Sequence, residues 1–173
     1  LVSTTGNSLK LYEDESAAGE SELTSVREQI QDYLDLLKMK YTWNQEIGAF
    51  ELVFTERKDD KPATTEPSDE GPYFRYIVYV RPGERWVQVF CDVYPLDKIP
   101  EEKRAKVFSD LLACNRRYAE VCFDLDEEGG MIGTSQEMLV QGLNFDLFRE
   151  EFFAIPWAVK KFWSEIAKEH GLE

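Results

Sequence analysis

The chain has 173 residues, of which 43% are hydrophobic and 31% charged, and its formal net charge is −14 at pH 7. This length suits one domain with one hydrophobic core and is short for two. Because phosphates would be repelled by so much negative charge, the composition argues against nucleic-acid and membrane partners and favours a protein or peptide partner with basic or apolar segments.

The cysteines indicate the compartment. Cys91, Cys114 and Cys122 form no Cys-x-x-Cys pair, and an odd count in strand-like and helix-like surroundings is typical of buried thiols in a reducing compartment such as the cytoplasm. No apolar run approaches the ~18 residues that a membrane-spanning helix needs. The sequence begins with Leu1 and not with Met, so we leave open a targeting segment that has been removed.

The first part of the chain contains two polar segments and an amphipathic segment between them. Residues 1–22 are rich in Ser, Thr, Gly and acids, and they predict a disordered tail ahead of a single domain at 23–173. Apolar residues recur at helical spacing over 24–41 and predict a first amphipathic helix. Residues 56–72 are polar and too long for an ordinary hairpin loop. We predict a mobile insertion there, with a functional flap as the alternative.

Strands are predicted next along the chain. Three strand-like runs lie at 49–55, 73–81 and 85–94, and Pro82-Gly83-Glu84 predicts a tight hairpin between the last two. A second helix is predicted to begin after Pro100, with acidic residues in its first turn.

The stretch CFDLDEEGGMIG has two interpretations. Its alternating acids resemble the start of an EF-hand calcium loop at Asp124, but Ser135 occupies the twelfth position, where such a loop needs a bidentate Glu. The alternation of apolar and polar residues over 118–125 is instead typical of a half-buried strand. Gly129-Gly130 can supply the positive φ of a hairpin turn. We therefore predict a hairpin with its return strand near 131–139, and no metal site.

The third helix completes the predicted fold. Asn144 is a suitable N-cap for a long amphipathic helix that follows it. The order of elements is then α-β-β-β-α-β-β-α. This order predicts an α+β fold in which three helices pack on an antiparallel sheet of about five strands.

Some apolar residues exceed what one core requires. The strand at 85–94 is apolar on both faces, and the third helix carries aromatic residues beside its main apolar stripe. We interpret them as a surface for a protein partner or for the second subunit of a homodimer. The alternative is ordinary core, covered by the third helix and the 56–72 segment. The candidate residues are Trp86, Phe90, Tyr94, Phe153 and Trp157.

The sequence shows no catalytic pattern. His170 is the single histidine and lies close to the C-terminus, where fraying is expected. Among 34 acidic residues, near pairs such as Asp124 and Asp126 arise by chance. No Gly-rich phosphate loop precedes a helix. We therefore predict a non-enzymatic protein with no catalytic residues and no cofactor.

Two stretches resemble a known family. LLACNRRYAEVCFDLDEEGGMIGTSQEML at 111–139 and LNFDLFREEFFAIPWAVKKFW at 143–163 are similar to YbjN-like proteins, which share their fold with the class I type III secretion chaperones. The resemblance covers about 24–169 and implies a small acidic protein, usually a homodimer, that binds other polypeptides. The implied function is to hold or regulate a protein partner. The alternative is a self-associating regulatory or structural domain without a peptide client.

Overall fold

The computed structural model describes residues 17–57 and 73–172. Residues 1–16 of the predicted tail and 58–72 of the predicted insertion lie outside the described residues. Residues 17–22, predicted as tail, are helical, and residues 56 and 57, predicted as insertion, belong to a strand. The main helices are α1 (Ala17–Leu36), α2 (Glu101–Arg117) and α3 (Phe145–Lys161). The strands are β1 (Thr42–Asn44), β2 (Ala49–Arg57), β3 (Tyr73–Pro82), β4 (Trp86–Pro95), β5 (Phe123–Asp126) and β6 (Met131–Leu139). After α3 the helical path continues through a π-helical turn, Phe162–Ala167, and a last α-helical turn, Lys168–His170.

The six strands of the described residues form one antiparallel sheet in the order β1-β2-β3-β4-β6-β5. The prediction of an α+β fold with an antiparallel sheet is confirmed, but the sheet has six strands where about five were predicted. The additional strand is β1, which pairs with Ala49–Glu51 across a short turn. Its three residues are too few for an alternating pattern to be visible in the sequence.

α1 ends earlier than the predicted helix at 24–41 because the chain turns sharply after it. Lys38 adopts a left-handed conformation with φ 56°. The N–H of Met39 donates to the carbonyl of Leu34 at 3.0 Å, which satisfies one carbonyl at the helix end. None of the described helices is long and apolar enough to cross a membrane.

The helices pack on one face of the sheet. Alternate residues of β2, β3, β4 and β6 join buried residues of α1 and α3 in one cluster, which includes Phe50, Val78, Val89, Met138 and Phe152. A second cluster lies under α2 and the π-helical turn and includes Val107, Leu111, Phe123, Ile132 and Phe162. Val93 and Trp163 pack against both clusters. The opposite face of the sheet, the open face, carries none of these buried residues.

A β-bulge changes the phase of β4. Asp92 pairs with Gly133 of β6, yet Tyr94 pairs with Ile132, so the strand gains one residue between the two pairs. Tyr94 therefore points into the core, where it is 4% exposed and its ring lies 5.5 Å from that of Phe162. The prediction that Tyr94 lies on the same surface as the aromatic residues earlier in β4 is wrong.

The predicted hairpin around Gly129-Gly130 is confirmed, although its first strand begins at Phe123. Asp126 Oδ1 accepts hydrogen bonds from the N–H groups of Glu128 and Gly129 at 3.1 and 2.9 Å, and this stabilises the turn. Gly130 supplies the positive φ, 66°. Two of the carboxylates that suggested a calcium loop, those of Asp124 and Asp126, are therefore hydrogen-bonded within the hairpin.

His170 is held in place, and the expectation that it frays is wrong. Its Nε2 lies 2.8 Å from Asp110 Oδ2 on α2, and Lys103 Nζ donates to the His170 carbonyl at 2.8 Å. Leu172 follows it and is buried. These contacts join the end of the described chain to α2.

Candidate partner-binding surfaces

The structure divides the predicted surface residues between two sides of the molecule. Trp86 and Phe90 lie on the open face, because they alternate with the buried valines of β4. Phe153 and Trp157 lie on the outer side of α3, which packs on the opposite face of the sheet through its buried residues. Apart from the buried Tyr94, the predicted residues therefore lie on two separate surfaces.

The open face exposes apolar side chains of several adjacent strands. Val53 of β2 is 55% exposed, Ile77 of β3 36% and Leu139 of β6 42%. The strand pairing places Val53 opposite Ile77 and Trp86 opposite Leu139. We define the open-face residues as Val53, Ile77, Tyr79, Trp86, Phe90 and Leu139.

The aromatic residues at the centre of the open face are ordered by contacts with one another. Tyr79 and Phe90 are cross-strand neighbours, and their stacked rings lie 5.0 Å apart. The guanidinium carbon of Arg81 lies 4.9 Å from the centre of the Phe90 ring. Stacking and cation–π contacts of this kind hold the rings in place while leaving them partly accessible.

Acidic residues lie at one end of the open face. Burial raises the pKa of Asp92, and the negative charges of Asp126 and Asp124 raise it further. Burial also raises the pKa of Asp124, which accepts a hydrogen bond from Ser135 Oγ at 2.6 Å. Gly133 lies among them, where a Cβ atom would collide with Asp124 Oδ1. The Asp124 carboxylate can approach β6 closely because residue 133 is glycine.

The second surface is a cleft of about 440 Å³ on the outer side of α3, which we call the α3 cleft. Phe153 is 43% exposed and Trp157 42% exposed. On the other side of the cleft, the segment after α2 is fixed to β6 by a 3.0 Å hydrogen bond from Gln136 Nε2 to the Glu120 carbonyl. The residues that line the cleft are Glu120, Glu150, Phe153, Ala154 and Trp157.

A polar network also packs against Trp157. Lys161 Nζ lies 4.6 Å from the centre of the Trp157 ring and 4.3 Å from that of Tyr118. Glu165 Oε1 accepts a hydrogen bond from Lys161 Nζ at 2.8 Å and one from the Tyr118 hydroxyl at 2.6 Å. The bond to Glu165 raises the pKa of Lys161 above its usual range. The Trp157 ring is therefore positioned by its neighbours and still exposed.

The two sides of Trp157 differ in charge. Beyond it lies a smaller cleft of about 290 Å³, lined by Trp157, Lys160, Lys161, Ser164 and Glu165. Among the described residues that line the α3 cleft, the charged ones are the carboxylates Glu120 and Glu150. Near the cleft, burial and the charges of these two residues raise the pKa of Glu151. A cation is favoured in the α3 cleft by this arrangement.

One group among the described residues has side chains suited to a metal ion. Asp110, Glu169 and His170 place possible ligand atoms within 4.8 Å of one another. Lys106 Nζ forms an ion pair with Asp110 there, so an incoming cation would meet a positive charge that already occupies the carboxylate. The geometry is that of a contact between α2 and the chain end.

The thiols are not arranged as nucleophiles. Burial raises the pKa of Cys91 to about 12 and also raises the pKa of Cys114. Cys122 is exposed, but its pKa is raised by partial burial and by the charges of Asp124 and Glu137. A thiolate is disfavoured at each cysteine near neutral pH.

Sequence reasoning missed several residues of both surfaces. The alternation within β2 and β3 carries a signal that could have identified Val53 and Ile77, because each faces away from buried neighbours. Glu120 and Lys161 had no such signal. Their roles depend on how the segment after α2 meets α3, which is a tertiary contact.

No family model matches the sequence, and no curated protein matches it. Solved structures do match. A chain of the HopA1–SchA chaperone–effector complex has a TM-score of 0.51 and 14% identity, covering 84% of this chain and 97% of that chain. YbjN from E. coli has a TM-score of 0.54 and 13% identity over 84% of this chain and 93% of its own. A chain of the ExsC–ExsE complex has a TM-score of 0.51 and 13% identity over 83% and 95%.

At these identities the likeness shows a shared fold. The predicted resemblance to YbjN-like and type III secretion chaperone-like proteins is confirmed at that level. The match spans most of both chains in each comparison.

Proposed function

We propose that this chain is a non-enzymatic protein-binding module that holds or regulates a protein partner. The observation that carries the proposal is the open face, where apolar side chains of adjacent strands are exposed on a sheet whose helices pack on the other side. Exposed apolar surface of this kind favours association with another protein. A structural neighbour that belongs to a chaperone–effector complex supports the same conclusion.

Self-association is the second candidate function. Here a second copy would cover the open face in a homodimer that acts as a regulatory or structural domain without a peptide client. The observation that favours it is the mixture of charge on this face, since Arg75 and Arg81 share it with Glu51 and Glu137. A two-fold-related copy could therefore place opposite charges against each other.

The chemistry of the described residues supports a binding role in a reducing compartment such as the cytoplasm. Cys91, Cys114 and Cys122 are all free thiols. His170 contacts Asp110 and Lys103, two residues of α2. This packing role of the single histidine supports the proposal of a non-enzymatic protein.

The test is a charge placed on the open face. We expect Ile77→Glu to weaken self-association or partner capture about tenfold or more, because the glutamate must be desolvated in the interface. Light scattering coupled to chromatography measures the oligomeric state, and affinity capture from the native extract measures partner binding. Loss of a wild-type dimer supports self-association, whereas loss of a captured protein from a monomer supports a client.

Leu112→Glu is the matched control. Leu112 is 68% exposed on α2, so it belongs neither to the open face nor to the lining of the α3 cleft, and the substitution changes size and charge in a similar way. Both variants should keep the wild-type circular dichroism spectrum. If both reduce association equally, or if the wild type neither dimerises nor captures a protein, the proposal is wrong.

A further inference from the structure

We propose that the α3 cleft receives an arginine side chain from a basic segment of the protein partner. In this arrangement Phe153 and Trp157 pack against the methylene groups and the guanidinium plane, while Glu120 and Glu150 accept its hydrogen bonds. The inference rests on the proposed function, because it assumes a protein partner and assigns the chemistry of one contact.

The aromatic walls of the cleft are already in position. The Phe153 ring lies edge-on to the ring of the fully buried Phe152, with their centres 5.1 Å apart. The position of the Phe153 ring is therefore set by α3 and by a residue of the core. The Trp157 ring lies edge-on to Tyr118 at 6.3 Å. Walls that need no rearrangement reduce the entropy lost when a side chain binds between them.

The acidic groups come from different elements and meet at the cleft. Glu150 belongs to α3, and Glu120 belongs to the turn after α2. Within the described residues, no lysine or arginine forms an ion pair with either of them, since Arg149 pairs with Asp146 and Lys161 with Glu165. A bound cation would be attracted to both carboxylates, and it would also offset the negative charge that they impose on Glu151.

A cation–π contact with Trp157 already exists in the molecule. Lys161 Nζ rests 4.6 Å from the centre of the Trp157 ring, within the range of a cation–π interaction. An incoming cation would use the part of the same ring that faces the α3 cleft. Arginine fits better than lysine because its planar guanidinium stacks on aromatic rings and can donate to carboxylates on two sides.

Isothermal titration calorimetry of the full chain with a short peptide of Leu-Arg-Ala repeats tests the proposal. The comparison peptide carries citrulline in place of each arginine, which keeps the shape and removes the charge. We expect the arginine peptide to bind at least about tenfold more tightly, as charge-assisted hydrogen bonds are stronger than neutral ones. Equal binding of the two peptides would overturn the proposal.

Variants of the chain locate the binding. Glu120→Gln with Glu150→Gln should weaken binding of the arginine peptide about tenfold, the scale of a lost charge pair. Glu127→Gln with Glu128→Gln is the matched control, because it removes the same charge at the exposed turn of the β5–β6 hairpin. The control should change the affinity less than about twofold at physiological salt, where distant surface charges are screened.

The outcomes separate this inference from the proposed function. If both charge-removal pairs weaken peptide binding equally, only the overall negative charge attracts the peptide and the inference is wrong. Partner capture that is lost with Ile77→Glu and unchanged with the Glu120 and Glu150 substitutions would leave the proposed function intact and reject the cleft. Binding that is lost with Trp157→Ala as well as with the double variant supports the cleft.

Discussion

Asp92 carries a charge that the fold disfavours. It lies on the open face next to the acidic end of the β5–β6 hairpin, where burial and then the charges of Asp126 and Asp124 raise its pKa. A carboxyl group whose pKa is raised by folding binds more protons in the folded state than in the unfolded chain. The free energy of unfolding therefore decreases as the pH rises from the pKa of Asp92 in the unfolded chain through its raised pKa in the folded state.

Replacing Asp92 with Asn removes this penalty. We expect Asp92→Asn to raise the Tm at pH 7 by roughly 1–3 °C, a small effect because solvent screens a partly exposed charge. The gain should disappear near pH 3, where the wild-type carboxyl group is protonated in both states. Differential scanning calorimetry at the two pH values measures both effects.

Asp110→Asn is the control of opposite sign. Hydrogen bonds from Lys106 and His170 lower the pKa of Asp110, so its ionised form stabilises the fold at pH 7 and this contribution is lost as the pH falls through the lowered pKa. Asp110→Asn should therefore lower the Tm at pH 7. A drop in Tm at pH 7 for Asp92→Asn would contradict the account of Asp92.

Sequence reasoning succeeded for single residues where the signal is local. Trp86 and Phe90 could be assigned to one face because the strand alternates up to Asp92. Tyr94 could not, because the bulge adds a residue between Asp92 and Tyr94 and reverses the alternation. The contact of His170 with Asp110 on α2 could not be predicted either, because it joins two residues far apart in the sequence.

At the scale of elements, the start of α3 is fixed by Asn144. Its Oδ1 accepts a hydrogen bond from the Leu147 N–H at 3.0 Å, which confirms the predicted N-cap. We expect Asn144→Ala to lower the free energy of unfolding by about 1 kcal/mol, because the helix loses a partner for one of its first N–H groups. Urea denaturation measures the loss. Asn144→Ser should retain most of the stability, and an equal loss for both variants would show that the cap bond is not the cause.

Elements were predictable where several local signals agreed. The β5–β6 hairpin combines alternation with a Gly-Gly turn, and α2 has acidic residues in its first turn and arginines in its last. The π-helical turn at Phe162–Ala167 has no comparable signal. Its widened turn places Phe162, Ile166 and Ala167 in the core, a result of packing that helical spacing alone does not specify.

The whole molecule depends on the junction between its two buried clusters. The Trp163 ring lies 5.1 Å from that of Phe74 and 5.9 Å from that of Tyr94, so it contacts side chains under α3 as well as under α2. Shared packing of this kind couples the clusters. We therefore predict that residues 23–173 unfold as one domain in a single cooperative transition.

Removing the Trp163 side chain should lower the stability of the whole domain. We expect Trp163→Ala to lower the free energy of unfolding by about 3 kcal/mol, because a half-buried aromatic ring is removed from both clusters. Calorimetry should show one transition at a lower Tm. Trp86→Ala, which removes a half-buried ring from the open face, should cost distinctly less. Two separate transitions in the wild type would contradict the single domain.

The four tryptophans of the chain occupy four different environments. Trp43 lies on β1 under the guanidinium of Arg27, Trp86 is on the open face, Trp157 is in the α3 cleft and Trp163 is at the junction of the clusters. Indole fluorescence shifts to longer wavelength as the ring meets more water. Variants that keep one tryptophan and carry phenylalanine at the others would therefore emit from one known region at a time. The native sequence thus supplies optical reporters for the sheet edge, both proposed surfaces and the core, without an attached dye.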